Sequence, residues 1–148
     1  MAGLMPQVLT PDGPLPAGVR ALCTTRAGGV SAAPFDSFNL GDHVGDDPAA
    51  VAANRATLAQ ALGARPVFLK QVHGTGVADL DADVPDGTEA EACITTRRGV
   101  AATIMVADCL PVRLTDIQGR AVAAAHAGWR GLAGQGGLGV LETAVAAL

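Results

Sequence analysis

The clearest hydrophobic pattern lies in DDPAAVAANRATLAQALG, where Val51, Leu58 and Leu62 recur at helical spacing and Arg55 falls inside the same stripe. Asp47 can cap the first turn, Pro48 fits the first helical position and Gly63 can end the helix. A helix over 48–62 follows, and an arginine on its apolar stripe requires a partner. Shorter apolar runs over 19–24, 67–74, 93–96, 100–106, 112–115 and 120–125 predict strands. The run VFLKQVHG ends at glycine, so its strand leads to His73. Between these runs, residues 26–41 are rich in Gly, Ser, Ala and Pro and read as a long loop, while 79–91 is acidic and reads as an exposed one. Four of the nine prolines fall in residues 1–18, which predicts an irregular arm or an edge strand.

The last segment, 137–148, is helical in pattern, with Val140, Leu141, Ala144, Val145 and Leu148 on one face. It carries no Gly, Pro or basic last turn, and several apolar residues on one face demand a covering layer. Truncation of a longer protein, or self-association through this C-terminal apolar face, is the expectation.

Composition narrows the class. With 148 residues, 49% of them hydrophobic, and a net charge of −4 without runs of either sign, the chain is globular and carries no signature of nucleic-acid or membrane-surface binding. Any anion must therefore be held by a local cluster. The longest apolar run, 100–106, is too short to span a bilayer. Cys23, Cys93 and Cys109 are odd in number and far apart, and no secretory segment opens the chain, so the cytoplasm is the expected compartment.

Candidate chemistry gathers around Cys109. Asp116-Ile-Gln-Gly119 is a hairpin signal between two apolar runs. A turn centred between Ile117 and Gln118 places Cys109 directly opposite His126. Opposed Cβ atoms lie about 4.5–5.5 Å apart, close enough for both side chains to share one ion at bond lengths of about 2.0–2.3 Å. A bulge at Gly119 would shift that register by one residue, and Pro111 interrupts pairing nearby. His73 is the third candidate ligand. Two nitrogens, one sulfur and an open fourth position describe a catalytic zinc site, whereas a buried cysteine acting as a small hydrophobe and a satisfied strand-end histidine is the plainer reading of the same residues.

The ordered set TTRAGGVS, SFNLGDHVGDDP, Asn54-Arg55, QVHG, ADCLPV and AAAHAGWRG resembles the YfiH-like, laccase-domain (multicopper polyphenol oxidase) family of purine nucleoside phosphorylases, from about Arg20 onward. That resemblance implies a mixed α/β sandwich with a zinc site at strand ends, formed by His73, Cys109 and His126. It also implies phosphorolysis of adenosine, inosine or methylthioadenosine to the free base and ribose 1-phosphate, with adenosine deamination as a second activity. Two departures stand out: Glu91-Ala92 occupies a place where the family commonly has Asp-Ala, and family chains continue beyond Leu148. One domain over 1–148, lacking its C-terminal part, is the expected organisation.

Multicopper oxidation needs a mononuclear and a trinuclear site built largely of imidazoles, and three histidines do not supply it, so zinc is favoured over copper. No His-x-Glu precedes Pro-Cys-x-x-Cys, the pattern of nucleobase deaminases. A single hydrolytic or phosphorolytic centre remains. Asp108, beside Cys109, is a candidate proton shuttle or an orienting partner. Arg26, Asn39 and Arg55 are candidate phosphate donors, and Trp129, next to Arg130, is a candidate purine-stacking surface or a core residue. Two other classes stay open: a Cys109–His126 thiolate–imidazolium hydrolase, including editing of peptidoglycan precursors, and a non-catalytic assembly module.

Overall fold

Asp47 begins the most regular element. Its carboxylate accepts the Ala49 N–H at 3.0 Å, and the helix α1, Pro48–Leu62, ends at Gly63 in the left-handed conformation. The structure, a computed structural model, describes residues 6–148; residues 1–5 of the proline-rich arm lie outside the described residues. It forms two compact units, one holding the described residues through Leu15 with Arg20–Ala64, the other Pro16–Val19 with Arg65–Leu148. The secondary structure is mixed α/β.

In the first unit, α1 buries Val51, Asn54 and Leu58. Asn54 was not part of the apolar stripe, yet its carboxamide organises the loop over 26–41. It accepts the Val30 N–H at 3.0 Å and donates to Ser31 Oγ at 2.9 Å and to Asn39 O at 2.8 Å. The predicted strand over 19–24 shrinks to β2, Cys23–Thr24, paired antiparallel with β1, Val8–Leu9.

The second unit is built on a sheet in which β4 (Val77–Asp79) runs parallel to β5 (Ala92–Thr95), followed by β8 (Val122–Ala127) and β7 (Leu110–Thr115), both antiparallel to their neighbours. Alternation assigns its faces. Ala78, Cys93 and Ala124 point to one side, where Val67, Leu69, Leu80 and Ala90 cover them. Ala92, Ala125 and Ala127 point to the other, under Val140 and Ala144 of α3, Val140–Ala147. Small alanines on both faces let these layers approach closely. A short helix, α2, spans Trp129–Ala133.

Several expected strands are shorter than their apolar runs. Residues 67–74 contribute a buried segment, Val67 to Leu69, but regular pairing is confined to β3, Arg65–Pro66, parallel to β6, Val100–Ala101, and to a bridge between Lys70 and Glu89. Around that bridge the Gly87 N–H donates to Phe68 O at 2.8 Å, the Lys70 N–H to Thr88 O at 2.9 Å and the Ala90 N–H to Lys70 O at 3.3 Å, a short pairing that accompanies the burial of this run. The stretch 79–91 is likewise not wholly exposed: it contains a 3₁₀ turn, Leu80–Ala82, and buries Leu80, Ala90 and Glu91. The apolar face of the last helix is narrower than expected, since Val145 is 58% exposed while Val140 and Ala144 are buried. Among the described residues, no helix is long and apolar enough to cross a membrane.

The hairpin forms where expected, with a longer turn. Gly119 adopts φ 71° and donates its N–H to Asp116 O at 3.0 Å, and Asp116 N–H pairs with Ala121 O, so four residues, 117–120, connect the arms. A left-handed glycine after a tight turn needs this extra length. His126 consequently faces Pro111 and not Cys109, a shift of two residues along β7. Because side chains alternate, an even shift leaves Cys109 on the face of His126.

Two outcomes are expected from these local devices. Asp47→Ala should destabilise α1 by about 1 kcal/mol, measured as a lower urea midpoint of the helical circular-dichroism signal. Bonds from the Ala121 N–H first, and the Arg120 side chain next, hold the Asp116 carboxyl below its ordinary range. Its contribution is therefore present above the usual carboxylate pKa and is lost as pH falls through the lowered value. Asp116→Asn should flatten that acid-side loss in a urea series across pH; an unchanged profile would exclude Asp116 as its source.

Candidate metal centre

Three segments of the second unit deliver the ligands. His73 follows the buried Val67–Leu69 stretch and holds a left-handed backbone, φ 60°; Cys109 immediately precedes β7; His126 lies within β8. Their donor atoms all lie within 4.8 Å of one another. Donor atoms gathered this closely can serve one ion at bond lengths of about 2.0–2.3 Å. The rings of His73 and His126 meet edge to face, with centroids 5.1 Å apart. His126 is buried, Cys109 half-buried and His73 exposed, so the cluster opens to solvent on one side.

Gly128 keeps the interior of this cluster clear. Continuing the β7–β8 register places Gly128 opposite Cys109, and a Cβ there would lie 3.2 Å from Cys109 Sγ and 3.2 Å from His73 Nδ1. The backbone is ordinary for any residue, with φ −76°. Space, not conformation, calls for glycine. A cradle that a single methyl group would fill, bounded by one soft and two borderline donors, fits a zinc-sized cation held by His73, Cys109 and His126.

Glu91 is the residue that sequence patterning missed. The acidic pattern of 79–91 predicts an exposed loop, but Glu91 has no exposed surface. Extending the β5–β8 ladder by one pair sets Glu91 opposite His126, whose N–H donates to Glu91 O at 2.8 Å. Oε2 of its carboxylate meets His126 Nδ1, and Oε1 accepts the Val72 N–H at 2.6 Å. With Nδ1 engaged, Nε2 is the nitrogen left to ligate. The alternation in Glu-Ala-Cys-Ile-Thr, which places Glu91 on the face of buried Cys93, was the available signal. A second polar clasp joins the segments: Gln71 Nε2 donates to Met105 O at 2.7 Å and Gln71 Oε1 accepts the Met105 N–H at 2.8 Å.

Asp108 is exposed and accepts from Cys109 Sγ at 3.6 Å. Burial first, and this carboxylate next, push the Cys109 thiol above its ordinary pKa. Trp129 is 74% exposed, which removes the core alternative, and the Arg130 guanidinium lies 5.0 Å from its ring centre. The remaining candidates belong to the first unit. Arg26 Nε donates to Asp36 O at 2.9 Å, and its side chain is largely exposed. Arg55 has the partners its place on α1 required: Nε donates to Leu40 O at 2.9 Å, and Asp42 lies 3.6 Å from the guanidinium. Asn39 donates to Gly41 O and to the Asp46 carboxylate, each at 3.0 Å, which commits its amide hydrogens within the loop.

A family model described as multi-copper polyphenol oxidoreductase laccase matches residues 20–148. The chain belongs to that family. It is 56% identical over 140 residues to a Pseudomonas aeruginosa protein named purine nucleoside phosphorylase, covering 95% of this chain and 55% of that protein. It is 46% identical over 143 residues to the Escherichia coli purine nucleoside phosphorylase YfiH, covering 95% of this chain and 57% of that one. The crystal structure of a Neisseria meningitidis protein, 48% identical, superposes with a TM-score of 0.88 over 95% of this chain and 56% of its own. That of YlmD from Geobacillus stearothermophilus, 30% identical, gives 0.68 over 90% of this chain and 55% of its own. The chain thus spans about half the length of these relatives. The mixed α/β fold expected from the sequence is that of the family.

Gly128→Ala should weaken zinc binding about tenfold or more, on the scale seen when the support of a metal ligand is lost, while the melting temperature of the metal-free chain changes little. A competition titration with a chromophoric chelator, run beside a thermal melt, measures both.

Proposed function

We propose that this chain carries the metal centre of a zinc-dependent purine nucleoside phosphorylase, with adenosine deamination as a second activity of the same site. The observation that carries this reading is the convergence of His73, Cys109 and His126 on one cradle with an open side. The names of relatives at 46–56% identity support the reaction class. Bound there, a zinc ion would polarise a substrate oxygen or lower the pKa of a water. The chain's own groups do the rest. Exposed Asp108, next to Cys109, accepts or returns a proton at the substrate. Trp129 offers a free ring face to a purine, with Arg130 beside it. Within the first unit, Arg26 in the loop and Arg55 on α1 carry guanidinium groups of the kind that grip phosphate, and Asn39 braces the loop that carries Arg26.

The three-donor cradle favours this reading over a thiolate–imidazolium hydrolase, which would need only Cys109 and His126 and would give His73 no part. Elemental analysis should give one zinc per chain, lost in Cys109→Ser. Incubation with inosine or adenosine and phosphate should yield free base and ribose 1-phosphate. A zinc-loaded protein of full family length that releases no ribose 1-phosphate would exclude phosphorolysis. Arg55→Ala should raise the phosphate concentration needed for half-maximal rate more than it lowers stability; an unchanged phosphate dependence with a lower melting temperature would make Arg55 purely structural.

A further inference from the structure

The cluster's histidines stand on different segments, and one side chain touches the support of both. Glu91 Oε2 meets His126 Nδ1, while Glu91 Oε1 accepts the N–H of Val72, the residue before His73. His73 holds an uncommon left-handed backbone, so its ring direction depends on how the chain just before it is fixed. Glu91 itself is anchored at its main chain: it is fully buried, its N–H donates to Gly76 O at 2.9 Å, and its carbonyl accepts from His126.

We infer that Glu91 is a positioning residue that prepares both histidines for the ion at once. This inference rests on the zinc reading above. Its acceptor at Nδ1 selects the His126 tautomer whose Nε2 is unprotonated and free to ligate. Its second oxygen fixes the main chain that aims His73. Both contacts require an acceptor, and a carboxylate has two. A glutamine of the same shape has one. If its oxygen faces the Val72 N–H, its amide group donates to His126 Nδ1 and places the proton on Nε2, where the metal should bind. If it is turned over, two N–H donors face each other at Val72. Either orientation leaves one histidine wrongly prepared.

Glu91→Gln is therefore expected to weaken zinc binding by about 10–100-fold in a chelator competition titration and to shift the visible absorption of the cobalt-substituted protein. Glu91→Gln removes a buried charge but leaves one buried polar contact mismatched, two effects of opposite sign, so the melting temperature of the metal-free chain should change by only about 2–4 °C. Glu91→Asp restores two acceptors on a shorter stem, and should bind zinc more tightly than Glu91→Gln but more weakly than the unaltered chain. Wild-type zinc affinity and cobalt spectrum in Glu91→Gln would overturn the positioning role while leaving the zinc site intact. Equal weakening in the Gln and Asp variants, accompanied by a matching fall in melting temperature, would also overturn it, as a merely structural effect. An unaltered chain that binds neither zinc nor cobalt would overturn the metal reading itself.

Discussion

A carboxylate with no exposed surface is expensive to bury, and Glu91 is tolerated because every part of it is answered. His126 and the Val72 N–H meet its two oxygens, and the end of the β5–β8 ladder takes its main chain. The cost of leaving that charge unpaired makes the arrangement self-enforcing. Strand β8 cannot slide by one residue without turning His126 to the α3 side and stranding Glu91. The same pairing settles which way the imidazole faces, and hence where Cys109 and His73 must arrive to complete a cluster.

Alternation along the sheet explains why Cys109 and His126 still meet although the hairpin register differs from the one the turn signal predicts. A two-residue turn was expected to oppose Cys109 and His126; the turn is two residues longer, and Cys109 became a diagonal neighbour on the same face. Diagonal positions about 7–8 Å apart at Cα remain within reach of longer side chains. Odd slippage would have separated the pair. The vacant place opposite Cys109 is then Gly128, where a side chain would intrude. His-Ala-Gly in the sequence thus encodes both a candidate ligand and the open space beside it.

Local signals were legible where local bonds decide the outcome. The Asp47 cap and the Gly63 terminus of α1 each involve partners within a few residues, and the helix follows its predicted bounds. Strands depend on partners far away, so the runs over 67–74 and 100–106 kept their burial but lost most of their predicted pairing. Polar residues showed the sharper limit. Asn54 and Glu91 are both buried hubs of hydrogen bonds, and neither stands out by type, because asparagine on a helix and glutamate near other acids ordinarily face water. What betrays them is their phase with buried neighbours, Val51 and Leu58 around one, Cys93 beside the other.

The family's description names several coppers, whereas the donors of this chain suit a single ion. Of its three histidines, two belong to the cluster, and the third, His43, lies in the first unit beside Asp42. A trinuclear copper site alone would consume more imidazoles than the sequence contains. One thiolate and two imidazoles around an open position instead suit a metal that changes no oxidation state and works by polarising what it binds. Such a centre obtains its selectivity from its surroundings. On the proposed reading, exposed Trp129 with its neighbouring cation, and the acid at Asp108, are therefore where substrate choice should be sought, around a cluster whose buried histidine is held by Glu91.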